Sequence, residues 1–276
     1  MATDMHNNDM PNTSRRRFLT VASASTAAAL FATPQLAADA FIDSAVTDGP
    51  MHPDAPSLPL NRTDTAVVFI DPQNDVLSEN GRAWAAVSES VKENKTIENM
   101  ERIFKAAKSH GFEVFISPHY FFPVDKGWKF NGPLEADEAA SNLFARRGRL
   151  SLDGFAGSGA DWLDRFKPYI DDGKTIVVSP HRVWGPQTND LVLQLRKRRI
   201  NKVILGGMLA NMCVESHLRE LLEQGFEVAI VKDATAGPRH PRWGDGYTAA
   251  IINYSFLAHA VLTTEETIKA MGRGTR

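Results

Sequence analysis

The sequence predicts an α/β fold, with a doubly wound, mainly parallel sheet that has helices on both faces in a three-layer α/β/α arrangement. Two observations predict it. Short, continuous apolar runs rich in β-branched residues recur along the chain, which is typical of strands buried on both faces. Amphipathic stretches separate these runs, and that alternation favours parallel strands joined by helices.

The order of elements follows from the apolar pattern. The run Thr65–Ile70 predicts a first strand, which Asp71-Pro72 ends. Helical spacing over 91–109 and Gly111 then predict a helix and its end. By the same reasoning we predict strands at 112–117, 174–179, 202–205, 226–231 and 259–264, and helices at 188–199, after Cys213 and at 245–257.

The first 40 residues predict a twin-arginine signal peptide. Arg15-Arg16-Arg17 precede a mildly apolar run at 21–36 that Ser, Thr and Pro interrupt. That run is a poor membrane span, so we expect export, to the periplasm or beyond, without stable membrane insertion once the signal is removed. Residues 41–62 are interpreted as an extended leader. Residues 63–276 are interpreted as one domain with an insertion at 118–173, a length typical of a functional cover.

Composition excludes some function classes. The formal net charge is −2, which gives no reason to expect nucleic acid as a partner. The single cysteine cannot form an intramolecular disulfide, and a lone thiol in an oxidising compartment has to be buried or used. No spacing of Cys and His residues predicts a metal or cluster site, so we expect no cofactor.

Three polar positions follow predicted strands and should meet at one edge of the sheet. Asp71 follows the first strand, Pro180-His181-Arg182 the third and Cys213 the fourth. A helix N-terminus favours a thiolate, and a nearby carboxylate can accept the thiol proton and return it to a leaving group. The glycines of loop 206–213 let backbone N–H groups point at a reacting carbonyl oxygen. This combination predicts acyl transfer.

Three motifs in the right order resemble those of the isochorismatase-like family: the first-strand run Val68–Asp75, the cysteine turn Gly207–Val214 with Glu215-Ser216, and the strand ending Val231–Ala234. The resemblance implies a doubly wound, Rossmann-like fold, a homo-oligomer, and hydrolysis of amides, ureides or carbamoyl groups through a Cys-Asp-Lys set. By position it implies that Cys213 is the nucleophile and Asp71 the acid/base. It also implies a non-proline cis peptide at Met208–Leu209 and an oxyanion hole formed by the backbone of Leu209 and Cys213.

Two positions depart from the family pattern. Pro180 occupies the place of the family lysine and can hold no charge. His181 or Arg182 could supply the positive partner, with His181 preferred because it titrates near neutral pH; Lys126 or Lys129 of the insertion could also reach the site.

The second departure concerns metal binding. Ser117-Pro118-His119 stands where some members hold a metal with Asp-x-His. Without that carboxylate we predict no metal, and His119 becomes either a substrate contact or a structural residue.

The resulting prediction is an exported cysteine hydrolase that cleaves a C–N bond of a small molecule, with Cys213, Asp71 and His181 as catalytic residues. We expect His119, Trp128, Trp184 and Asn74 to contact substrate. Two alternatives stay open: a non-catalytic binding protein on the same fold, which the loss of the lysine suggests, and a redox-responsive thiol protein.

Overall fold

The computed structural model describes residues 58–274. The predicted signal peptide and most of the predicted leader lie outside these residues. In the described part, a six-stranded parallel sheet has the strand order β3-β2-β1-β4-β5-β8, and a small antiparallel pair, β6-β7, stands apart from it. The predicted fold class is therefore confirmed.

The strands and helices alternate along most of the chain. The strands are β1 (Thr65–Ile70), β2 (Glu113–Ser117), β3 (Ile176–Val177), β4 (Lys202–Met208), β5 (Glu227–Ala236), β6 (Arg239–His240), β7 (Gly244–Asp245) and β8 (Ala260–Leu262). The helices are α1 (Asn74–Leu77), α2 (Trp84–Asn94), α3 (Thr96–His110), α4 (Pro133–Ser141), α5 (Lys167–Ile170), α6 (Leu191–Lys197), α7 (Glu215–Glu223), α8 (Gly246–Leu257) and α9 (Thr264–Arg273).

Both faces of the central strands are buried, which explains their continuous apolar sequence. Val67 and Phe69 of β1 belong to one hydrophobic cluster, which packs against α2, α3 and α9. Val68 and Ile70 belong to a second cluster on the opposite face, against α6, α7 and α8. Successive side chains of a strand point to opposite faces, so an apolar residue is needed at every position. The sheet is thus the rigid centre of three layers.

The strand order places one crevice at the middle of the sheet. From β1 the chain moves outward through β2 to β3, then crosses back to β4 on the other side of β1. In open parallel sheets, ligands bind outside the carboxyl ends of the strands at this reversal of direction. Asp71 directly follows β1 and Cys213 follows β4, so both lie at this point.

Several predicted elements need correction. The helix predicted over 91–109 is two helices, α2 and α3, because Lys95 adopts a left-handed conformation with φ 52°. The third strand is two residues long rather than the predicted 174–179, since only Ile176 and Val177 pair with β2. The strand predicted at 259–264 ends at Leu262. Thr263 then caps α9 through a reciprocal pair of hydrogen bonds with Glu266, a helix signal that our sequence analysis missed.

The insertion at 118–173 contains little regular structure. It holds a short 3₁₀ turn at Pro123–Gly127 and helices α4 and α5. It is nevertheless tied to the segment that follows β1, because the backbone of Leu163 donates to the Pro72 carbonyl and that of Asn74 donates to the Asp161 carbonyl. Within the described residues, no helix combines the length and apolar character that crossing a membrane requires.

Candidate active site

Asp71 lies at the end of β1 in a left-handed conformation with φ 49°. This conformation is uncommon for residues other than glycine, although aspartate tolerates it better than most. Its backbone N–H donates to the Ser117 carbonyl at 3.1 Å, which joins the ends of β1 and β2. Burial raises the pKa of the carboxyl from 3.8 to about 7, against smaller lowering effects from His119, His217 and the Cys213 thiol. A carboxyl with this pKa can accept and release a proton near neutral pH.

Cys213 lies in a π-helical turn, Ala210–Val214, that leads from β4 into α7. Its side chain is buried in the same crevice as Asp71. The glycine at position 207 lets β4 lie close to the end of β1, because a side-chain carbon there would be 2.1 Å from the Ile70 carbonyl oxygen. Burial raises the pKa of the thiol well above its ordinary value, and the negative charge of Asp71 raises it further. The resting nucleophile is therefore a thiol that needs a base.

The turn before Cys213 has the geometry that the resemblance implied. The Met208–Leu209 peptide bond is cis. The backbone N–H of Leu209 points at the Cys213 sulfur and lowers the pKa of the thiol, opposing the effect of burial. The Leu209 carbonyl accepts hydrogen bonds from the backbone of Met212 and Val214, which fixes the turn. A donor held beside the attacking sulfur is suitably placed for an oxyanion.

His181 is fully buried and contacts Asp71, with 2.8 Å between its Nε2 and the Asp71 Oδ1. Its backbone N–H donates to the Pro118 carbonyl, which places it beside His119 at the ends of β2 and β3. Burial lowers the pKa of His181 to about 3, so the ring is neutral at neutral pH. The expectation that His181 replaces the family lysine as a positive charge is therefore wrong: it orients Asp71 as a neutral hydrogen-bond donor.

The other cations considered for the lysine role are engaged elsewhere. The Arg182 guanidinium pairs with the Asp125 carboxylate, outside the cavity that Cys213 lines. Lys126 donates to the side chain of Asn142 at 2.9 Å, and Lys129 is exposed. Among the described residues that line this cavity, Arg82 alone carries a permanent positive charge.

A buried histidine that the sequence analysis missed stabilises the cysteine turn. His217, one helical turn after Cys213, has its Nδ1 2.7 Å from the Cys213 carbonyl oxygen. Its Nε2 lies 2.8 Å from Ser117 Oγ, and Asn189 donates to that same oxygen at 2.9 Å. Burial lowers the pKa of His217 to about 3. A neutral ring donating from Nδ1 and accepting at Nε2 satisfies every partner. The only sequence signal was the spacing of four residues from Cys213.

Gln73 holds His119 in place beside this pair. The Gln73 amide donates to the His119 carbonyl and accepts from its backbone N–H, both at 2.9 Å. The buried His119 ring stacks on Phe144 of the insertion at 4.8 Å between centroids. Burial lowers the pKa of His119 to about 3, and the His181 ring adds to that effect. His119 thus presents a neutral ring to the cavity.

A cavity of about 200 Å³ adjoins the pair and has a mostly apolar wall. Its lining includes Asp71, Val76, Arg82, Val87, His119, Leu134, Glu138, Leu143, Phe144, Trp184, Leu209, Met212 and Cys213. Three of the predicted substrate contacts or donors, His119, Trp184 and Leu209, therefore border the cavity. A space of this size fits a small molecule with few polar groups.

Two predicted substrate contacts do not line this cavity. Asn74 donates its side-chain amide to the Ser158 carbonyl at 2.9 Å and so ties α1 to the insertion. Trp128 packs edge-on against Phe121 at 6.2 Å and beneath the Arg182 guanidinium. Both predictions are corrected to structural roles, because the insertion turns these side chains into its own packing.

One cluster among the described residues has the donor types of a metal site. One donor atom each from Asp71, His119, His181 and Cys213 lies within 4.8 Å of the others. Two of these groups already satisfy each other, since His181 hydrogen-bonds Asp71. A cation here would occupy the thiolate needed for attack. The absence of a metal requirement therefore stays a prediction.

The comparison with known families decides the membership of the chain. The model of the isochorismatase domain family matches residues 65–266, more than half of the sequence. The chain belongs to the isochorismatase-like cysteine hydrolase superfamily. The match runs from β1 into α9 and includes Asp71, the insertion and the cysteine turn.

A curated relative and solved structures agree with this membership. The chain is 30% identical over 188 residues to the ureidoacrylate amidohydrolase RutB of Variovorax paradoxus. The aligned region covers 64% of this chain and 71% of the relative. The fold matches the cysteine hydrolase of Pseudomonas syringae pv. phaseolicola with a TM-score of 0.63, 19% identity, and 79% and 97% of the two chains covered. It also matches N-carbamoylsarcosine amidase of Thermoplasma acidophilum, with a TM-score of 0.52, 20% identity, and 73% and 97% covered.

Proposed function

We propose that this protein hydrolyses a C–N bond of a small, non-peptide amide, ureide or carbamoyl compound through an acyl-enzyme on Cys213. The observation that carries the proposal is the position of the Cys213 sulfur and an Asp71 carboxylate oxygen, within 4.8 Å of each other in the wall of one mostly apolar cavity. The names of the ureidoacrylate amidohydrolases and of N-carbamoylsarcosine amidase support this class of bond.

The first half of the reaction forms the acyl-enzyme. Ionised Asp71 accepts the thiol proton of Cys213, and the sulfur attacks the substrate carbonyl carbon. The backbone N–H groups of Leu209 and Cys213 stabilise the oxyanion of the tetrahedral intermediate. Asp71 then gives its proton to the departing nitrogen, the C–N bond breaks, and a thioester remains on Cys213.

The second half regenerates the thiol. Asp71, again ionised, accepts a proton from water as the water oxygen attacks the thioester carbon. The C–S bond breaks, the acid or carbamate product leaves, and the proton returns from Asp71 to sulfur. The neutral His181 donates to Asp71 throughout, which keeps the carboxylate directed at the thiol without a charged lysine.

The direct test is ammonia or amine release by purified protein with a panel of small amides, ureas and carbamates. We expect turnover by the wild type and none by Cys213→Ala, with trapping of a thioester on Cys213 by mass spectrometry at low pH. Ligand binding without turnover by any member of the panel would instead support the binding-protein alternative, for which the proline at position 180 is the one supporting observation.

Export and assembly are separate proposals that rest on the sequence. We propose that the paired arginines direct twin-arginine export. Cell fractionation should find the protein outside the cytoplasm. A variant with Arg15, Arg16 and Arg17 changed to lysine should remain in the cytoplasm. We also propose a homo-oligomer, which sedimentation analysis tests directly.

A further inference from the structure

Glu138 of α4 is a buried acid that the catalytic scheme does not use. It is 2% exposed and lines the same cavity as Cys213. Its Oε2 has no hydrogen-bond partner, and the nearest ring nitrogen, His119 Nε2, lies 3.8 Å away. A buried carboxyl oxygen without a hydrogen-bond partner costs free energy, so its position in the wall of a ligand cavity indicates a partner that arrives with the ligand.

The groups around Glu138 make this part of the cavity unfavourable for a second negative charge. Asp71, Cys213 and Asp137 line the same cavity, and Asp137 and Glu135 lie on the same helix as Glu138. Burial, followed by the charge of Asp71, raises the pKa of Glu138 from 4.5 to about 8.

The cation at the cavity does not offset these acids. Arg82 donates from both its backbone and its guanidinium to the buried carboxylate of Asp75, each at 3.2 Å. A substrate carboxylate deep in the cavity would therefore lie close to two carboxyls, with the only permanent cation of the lining already paired. An uncharged amide or urea group could instead exchange hydrogen bonds with the Glu138 carboxyl, as both donor and acceptor.

We propose that Glu138 contacts the substrate and restricts it to amides, ureas or carbamates that carry no carboxylate near the scissile bond. This inference rests on the proposed function, because it takes the ligand of the cavity to be a substrate. The selectivity of the cavity can nevertheless be measured without any turnover. The insertion thereby supplies the specificity of a site whose reacting groups come from the sheet.

The first experiment compares two alkylating reagents of similar shape, neutral iodoacetamide and anionic iodoacetate. Cys213 is the single cysteine, so protein mass reports its alkylation alone. The ratio of the two rates, divided by the same ratio for N-acetylcysteine, cancels the ionisation of the thiol. We expect the normalised ratio to favour iodoacetamide and to rise by about threefold or more between pH 7.5, where most of Asp71 is already ionised, and pH 9, as Glu138 ionises.

Variants assign this rise to Glu138. Glu138→Gln, which is isosteric with the protonated acid, should leave the ratio at pH 7.5 within about twofold of wild type and remove most of the rise at pH 9. Asp153→Asn is the matched control, because Asp153 is an exposed acid of the same insertion outside the cavity. It should behave as wild type. A wild-type ratio that stays constant with pH, or a rise that persists in Glu138→Gln, would overturn the proposal even with the hydrolase activity intact.

A matched substrate pair gives the second arm. Propylurea is neutral, whereas 3-ureidopropionate carries a carboxylate at a similar distance from the ureido group. We expect propylurea to protect Cys213 from iodoacetamide at least about tenfold better, a difference of about 1.4 kcal/mol. Better protection by 3-ureidopropionate would overturn the specificity assignment, whereas hydrolysis that fails for every compound, neutral and anionic alike, would count against the proposed function alone.

Discussion

The two walls of the cavity are built in different ways. On the sheet side, Asp71, His181 and Cys213 are buried polar groups set against one another at the ends of adjacent strands. On the insertion side, Leu143 and Phe144 are apolar and Glu138 stands without a hydrogen-bond partner for its Oε2. The difference indicates that the sheet fixes the chemistry, because its polar groups are pre-oriented, and that the insertion determines which molecules enter.

The largest effect should come from the reacting pair on the sheet side. We expect Cys213→Ala and Asp71→Asn each to lower kcat by about 10³-fold or more, since Asp71 is the side chain that hydrogen-bonds the thiol. The double variant should be no slower than the slower single variant, because the two groups act as one unit. Additive losses, measured by steady-state kinetics, would mean that the two residues act in separate steps and would break the comparison.

His181 should have the next largest effect. Replacing it with glutamine should lower kcat by about 10- to 100-fold, because Asp71 loses an oriented donor. The pH at which kcat rises should also move upward, since a hydrogen bond to the ionised carboxyl lowers its pKa and that bond is weakened. A kcat–pH profile with an unchanged rising limb would show that His181 is only a packing residue.

Ser117 tests the support beneath the cysteine turn. Ser117→Ala leaves the buried His217 Nε2 and the Asn189 amide without their common partner, so the free energy of unfolding should fall by about 1–3 kcal/mol. Activity at a temperature where the protein stays folded should fall by less than about tenfold, because Ser117 touches no reacting atom. Urea titration and kinetics measure the two quantities. A large loss of kcat without a loss of stability would place Ser117 in the reaction itself.

Substitutions of Trp184 and Trp128 compare the cavity wall with a part of the insertion that lies outside the cavity. Trp184 borders the cavity, whereas Trp128 packs against Phe121 outside it. Trp184→Leu should raise KM by about 3- to 10-fold through lost apolar contact, with a smaller change in kcat. Trp128→Leu should leave KM unchanged. Equal effects of the two substitutions on KM would mean that the insertion binds substrate over a larger area than the cavity.

The predictability of the two walls differs for physical reasons. The β1 ending and the cysteine turn could be predicted because strand burial and the glycine at position 207 leave strong sequence patterns, whereas the Met208–Leu209 cis peptide was implied only by the family resemblance. The protonation state of His181 could not be predicted from the sequence, because it depends on burial, which lowers the pKa of the ring to about 3. The sequence analysis expected a positive charge on His181, whereas in the structure its neutral ring donates a hydrogen bond to Asp71.

The insertion could not be predicted in the same way. Its side chains are positioned by contacts between distant segments, such as Asn74 with Ser158 and His119 with Phe144, rather than by a strand or helix period. Glu138 lies among several acids of one short helix, and its sequence neighbours give no sign that it is the buried one. Most elements with a strong period were therefore predicted, whereas Glu138, Leu143 and Phe144, which the insertion contributes to the cavity, were not.

The most direct test of the central claim, that Asp71 and Cys213 form one catalytic pair, is the pH dependence of iodoacetamide alkylation in wild type and Asp71→Asn. The account predicts that removing the Asp71 charge lowers the pKa of the thiol, so half-maximal alkylation moves to lower pH by about one unit or more while hydrolysis is lost. An alkylation profile that is the same in both proteins would contradict the account, because the thiol and the carboxyl would then not share a site.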